Sequence, residues 1–174
     1  MRFDTVLNNF VGQAVATGKV VVWSNGEPWR PVVHVRDICR TFKLYLEAPR
    51  ELIHNEAFNN GSSVLNYRIR ELAEIVVQTV PGSVIEIRAE AGADQRTYKA
   101  DFKKFARTFP NFRFEWDAKR GARQLCETLI RADLDIVKFE APEFTRLKFL
   151  NSLLKDHKLF GSLRWASEEA ARAC

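Results

Sequence analysis

The 174-residue chain has no long apolar run, few cysteines and widely spaced glycines, and each shortage removes a class of function. A membrane-spanning helix needs about 20 apolar residues in a row, and no stretch approaches that length. Met1-Arg2-Phe3-Asp4 opens the chain without the apolar core of a secretion signal, so a cytoplasmic protein is expected. Cys39, Cys126 and Cys174 lie far apart with no C-x-x-C pair, which predicts reduced thiols rather than a disulfide framework. His34, His54 and His157 have no metal-ligand spacing. The glycines at 12, 18, 26, 61, 82, 92, 121 and 161 form neither G-x-G nor G-x-x-G, although a dinucleotide cradle needs such spacing for a tight turn and close approach to pyrophosphate. There is no P-loop and no nucleophile elbow. Four positions after Tyr45, Tyr67 and Tyr98 stand Pro49, Glu71 and Phe102, so no Tyr-x-x-x-Lys pair exists. The expectation is a chain that holds no cofactor and does not catalyse alone.

What is present is an ordinary globular composition, 46% hydrophobic and 28% charged. The net charge of +5 invites an anionic partner, but the basic residues cluster only at Lys103-Lys104-Arg107 and Lys119-Arg120-Arg123, which read as solvated helix faces. No nucleic-acid motif accompanies them, so a basic nucleic-acid binder is the least favoured class.

Apolar periodicity gives the elements. Asp4 is expected to cap a helix carrying Val6, Leu7, Phe10, Val11 and Ala14 and ending near Gly18. Val20 to Trp23 and Pro31 to Val35 read as extended segments around a Ser24-Asn25-Gly26 turn. Asp37 is expected to cap a helix with Ile38, Phe42, Tyr45 and Leu46 on one face, with His34 a satisfied core histidine. Ala57 to Gly61 reads as a strand entering a turn, and a helix follows from Asn66 to Pro81-Gly82. Ile85 and Ile87 alternate with Glu86 and Arg88 as in a strand with one wet face. Three more helices follow, one behind Asp101, one from about Asp117, and one carrying Leu147, Leu150 and Leu154. Strands alternating with helices make an α/β chain.

Several blocks, in order, resemble a family. Trp29-Arg30-Pro31-Val32-Val33-His34-Val35-Arg36-Asp37 is similar to the R-x-x-x-H-V-x-D segment of extended short-chain dehydrogenases/reductases that act on nucleotide sugars. Asn8-Asn9-Phe10, Ala57-Phe58-Asn59-Asn60-Gly61, Gly92-Ala93-Asp94-Gln95-Arg96 and Tyr98 to Lys104 resemble further blocks of that family, covering roughly residues 2–130. The tail from Glu140 to Trp165 is similar to that of a branch of epimerase/dehydratase homologues. The resemblance implies the C-terminal part of such a fold, with few short strands and several helices, lacking most of the Rossmann sheet. It implies a substrate-binding portion at 1–135 and a helical C-terminal extension at 136–174. In the parent family a Rossmann half binds NAD(P) and supplies the Tyr-x-x-x-Lys pair; this chain begins after the point where that pair would stand.

By the same resemblance, Arg30 contacts the diphosphate of a nucleotide-diphosphate sugar, its guanidinium offering a planar donor fork. Asn9 faces the nucleotide, Val21 and Trp23 flank the base, and Asp94 and Arg96 reach ribose and phosphate. Ala91 stands where the family commonly has a second phosphate-binding arginine, which leaves that contact to Arg96. The expected partners are the nucleotide-diphosphate sugar and either a separate N-terminal Rossmann half or a second copy of the chain. The competing class is a non-catalytic binding or regulatory module derived from the same fold.

Overall fold

In the computed structural model, residues 2–88 and 96–167 are described, beginning with the helix that the apolar spacing requires. α1 (Val6–Thr17) buries Leu7, Phe10, Val11 and Ala14 and stops at Gly18, whose φ of 70° is the left-handed conformation that glycine adopts without a Cβ penalty. The expected cap does not form. Thr5 occupies the cap position, while Asp4 is drawn to Arg2 through a two-pronged pair at 2.7 and 2.9 Å, a stronger bond than a backbone amide offers it.

β1 (Lys19–Val22) leaves α1 at once, and β2 (Trp29–Pro31) follows the turn at Gly26. Then come α2 (Val35–Glu47), α3 (Arg50–Ile53), β3 (Asn66–Arg68), α4 (Ile69–Thr79) and β4 (Val84–Ile87). The C-terminal part holds α5 (Lys103–Thr108), α6 (Ala118–Arg131), α7 (Ile136–Glu140) and α8 (Arg146–Lys155). β1 pairs with β4 in parallel, Val20 opposite Ile85, and β2 pairs with β3 antiparallel, Arg30 opposite Tyr67. This is the expected α/β class with few short strands and several helices.

One core lies where α1, α4 and α6 pack on each other, with β1 against α1 and α4. Val11, Val20, Leu72, Val76 and Ala122 are fully buried there. A second, aromatic cluster joins Tyr45, Phe58, Phe105, Phe109, Phe112 and Phe114, with ring centroids 5.1 to 6.3 Å apart. The tail folds back onto α1. The Phe3 ring lies 4.9 Å from Phe139 and 5.1 Å from Phe144, and the Phe3 N–H donates to the Phe144 carbonyl at 2.7 Å. Gly12 makes that contact possible, since a Cβ there would stand 2.7 Å from the Phe139 ring.

Other expectations are corrected. Asp37 does not cap α2; His34 does, its Nδ1 accepting the Arg36 N–H at 3.2 Å. Asp37 is instead fully buried, one oxygen accepting the N–H groups of Glu115 and Trp116 at 3.0 Å each and the other accepting from Arg40 at 2.8 Å. Ala57–Gly61 is not a strand, because no neighbouring strand lies beside it among the described residues. The helix placed from Asn66 starts at Ile69, since residues 66–68 pair with β2. Ile87 does not face the core: it is 54% exposed, whereas Ile85 is half-buried against the α1/α4/α6 core. In α8 the inward leucine is Leu153, and Leu147 is exposed. Asp117 caps α6 as expected, accepting the Arg120 N–H at 2.7 Å.

Candidate functional site

A groove of about 620 Å³ opens between the N-terminal end of α1, the end of β1, and β2. Its walls include Asp4, Asn9, Val21, Trp23, Arg30, Arg96 and Tyr98. Five residues singled out by sequence, Asn9, Val21, Trp23, Arg30 and Arg96, therefore line one concavity although 87 positions separate the first from the last. The sixth, Asp94, lies outside the described residues.

Each wall is fixed by its own element. Asn9 stands on the first half of α1 and donates its amide to the Phe3 carbonyl at 2.9 Å, which holds the chain entry over the groove. Gln13, one helical turn on, accepts the Val21 N–H at 2.8 Å and ties β1 to α1. Trp23, just beyond β1, is 46% exposed, with the Arg88 guanidinium 5.5 Å from its ring centroid. Arg30 on β2 donates to its neighbour Trp29's carbonyl at 2.8 Å and to the carbonyl of Arg96, and lies 5.0 Å over the Tyr98 ring. The stretch 96–98 is pinned along β2 by the Trp29 N–H, which donates to Thr97 Oγ1 at 3.0 Å.

Among the described residues, the groove brings together the guanidinium groups of Arg30 and Arg96 and the Asp4 carboxylate. The hydrogen bond from Arg2, more than any other cause, holds the Asp4 carboxyl below its ordinary value, so Asp4 stays ionised and committed to Arg2. Arg30 and Arg96 line the same groove beside the exposed Trp23 indole, and guanidinium groups in that position can meet an anion. Sequence reasoning missed Gln13, Arg88 and Tyr98. The i, i+4 spacing of Asn9 and Gln13 is the one sequence signal that could have found Gln13.

Another cavity of about 620 Å³ lies behind Thr5, Val6 and Pro31, against α6. Its lining is largely apolar and carries no lysine or arginine; His34 there stacks on Trp116 at 4.0 Å and meets Gln124 at 2.8 Å. Among the described residues no cluster could hold a metal ion, and no helix is long and apolar enough to cross a membrane.

The fold resembles part of a solved dehydrogenase. It matches the L-threonine dehydrogenase of the hospital pathogen Clostridium difficile with a TM-score of 0.60 and 19% identity, over 72% of this chain and 40% of that one. The chain thus spans well under half the length of the solved enzyme. Residues 3–61, about a third of the chain, match the model of the NAD dependent epimerase/dehydratase family. No curated protein matches the sequence.

The family name implies NAD, and the described strand-to-helix junctions can be tested for it. β2 enters α2 through Val32–His34, and β3 runs directly into α4; neither passes through glycine. Gly26, at the end of the turn after β1, packs against Arg70, whose Cβ would lie 2.9 Å from a Cβ at that position. These junctions do not fit a dinucleotide.

Proposed function

We propose that the groove binds a nucleotide-diphosphate sugar, and that the chain acts as the substrate-binding portion of an NAD(P)-dependent epimerase/dehydratase. The single observation that supports this is the meeting of Asn9, Val21, Trp23, Arg30 and Arg96 in one concavity. Arg30 and Arg96 supply cationic forks for the diphosphate oxygens, and Trp23 supplies a flat face for a base. Asn9 and Gln13 keep the two sides of the groove in register through Phe3 and Val21. Turnover by this reading also needs a G-x-G-x-x-G turn and a Tyr-x-x-x-Lys pair, motifs that these 174 residues do not contain.

The test is a tryptophan-fluorescence titration with UDP-, dTDP-, GDP- and CDP-sugars, with NAD as control. Saturable quenching by one nucleotide sugar is expected, absent with NAD and reduced in Trp23→Phe. Arg30→Ala should weaken that binding about 10- to 100-fold, the loss of a charge-assisted contact. A flat response to all four sugars sinks the reading.

A further inference from the structure

On the outer face of the small β1–β4 sheet, the side chains form a row of charges that ends at the groove. Val20 and Val22 are buried, so Lys19, Val21 and Trp23 lie on the opposite face of β1 and its continuation. The parallel register sets Val21 opposite Glu86, and the ladder runs one step past both strands, the Arg88 N–H donating to the Val22 carbonyl at 2.8 Å. Trp23 and Arg88 are therefore the next pair on the face that carries Lys19 and Glu86. Glu86 Oε1 accepts from Nε and one Nη of Arg88 at 2.6 Å each, and Glu86 Oε2 stands 3.4 Å from Lys19 Nζ. The hydrogen bond from Arg88, more than any other cause, holds the Glu86 carboxyl below its ordinary value, so the pair stays charged. With those donors spent on Glu86, what Arg88 offers Trp23 is its flat face, the guanidinium carbon lying 5.5 Å from the ring centroid. Trp23 lines the groove and Arg88 does not. The cation thus meets the indole from outside, and the groove side of the ring stays open.

We propose that Arg88 is a positioning residue for the ligand of this groove: anchored by Glu86, it holds the Trp23 indole as a wall on whose open face the base stacks. The inference rests on the groove binding a nucleotide sugar, and it gives the stack an order of guanidinium, indole, base. An indole just beyond a strand end, with one side open, loses rotamer freedom when a ligand lands on it. Arg88 removes part of that freedom beforehand, so less is lost on binding and affinity rises through preorganisation. The side chain acts on the ligand only through Trp23. That separates it from Arg30 and Arg96, whose guanidinium groups line the groove themselves.

A double-mutant cycle read by calorimetric titration of the full chain tests this, with UDP-glucose, dTDP-glucose, GDP-mannose and CDP-glucose as probes. Arg88→Met keeps the bulk of the stem and removes the cation, and should weaken binding about five-fold. In a Trp23→Leu background the same substitution should change Kd by less than about two-fold, because the ring it acts through is gone. The chain without ligand gives a second readout. Emission assigned to Trp23 by difference from Trp23→Phe should lose anisotropy in Arg88→Met, the sign of a freed ring, and it decides where Trp23→Leu binds too weakly to titrate. Circular dichroism confirms that each variant is folded. Binding that Arg88→Met leaves unchanged overturns the inference and leaves the nucleotide-sugar reading standing. An equal loss in the Trp23→Leu background overturns it as well, since Arg88 then acts on the ligand by charge alone, and so does an unchanged anisotropy. A wild-type chain that takes up none of the four probes sinks the nucleotide-sugar reading and this inference with it.

Discussion

At the scale of single residues, Asp37 carries more of the structure than its place in the sequence suggests. Its carboxylate holds two backbone N–H groups of the 115–116 segment and one guanidinium, all from a fully buried position. Asp37→Asn keeps the size but removes the charge and one acceptor oxygen, leaving at least one buried N–H without a partner. A loss of about 2–3 kcal/mol is expected, below the cost for a fully buried pair because Arg40 is partly exposed. A fall in the urea midpoint at unchanged slope checks it. An aspartate just inside a helix start looks, from sequence, like a cap. What decides its role is a segment 78 residues away, which no local pattern reports. Asn9, Arg30 and Arg96 stand in blocks that resemble the family's, and Val21 and Trp23 at positions matched between them, so sequence could single them out; Gln13 and Arg88 lie outside every block, and Tyr98 lies in one that gave it no role.

At the scale of elements, caps and apolar periods predict helices well where the helix supplies its own partners. Asp117 caps α6 from within its own first turn, so Asp117→Ala should cost about 1 kcal/mol, read as a lower melting temperature with the same far-ultraviolet spectrum. Strands depend on neighbours instead. Residues 57–61 have a strand's side-chain alternation, yet among the described residues no ladder forms beside them. α2 repeats the lesson: its apolar period was readable, but the side that packs inward was not. Asp37 and Thr41 face in because Glu115, Trp116 and Arg40 satisfy them, and the apolar line is left outside.

At the scale of the molecule, burial of neutral acids sets the response to alkali. Desolvation raises the Tyr45 and Tyr67 hydroxyls above their ordinary value near 10 and the Cys126 thiol above its value near 9. The folded chain therefore keeps these protons at pH values where the unfolded chain has released them. Their contribution is fully present below the unfolded values and is lost as pH rises through the higher folded ones. Stability should decline from about pH 9, where Cys126 begins to matter, and more steeply above pH 10. Melting temperatures from pH 7 to 11 check this, and Tyr67→Phe should flatten the upper part of the curve. A profile that is level across that range contradicts the assignment.

The tail's contact with Phe3 reaches further than packing. Phe3 is at once a wall of the groove, the acceptor that orients Asn9, and the ring held between Phe139 and Phe144. The segment around α7 is thereby a clasp on the mouth of the groove. Any event that releases it, whether a protease nick near residue 135 or a partner that captures α7, is transmitted to the groove end of α1. Under the proposed function, affinity for the nucleotide sugar then depends on the integrity of a stretch that never touches it.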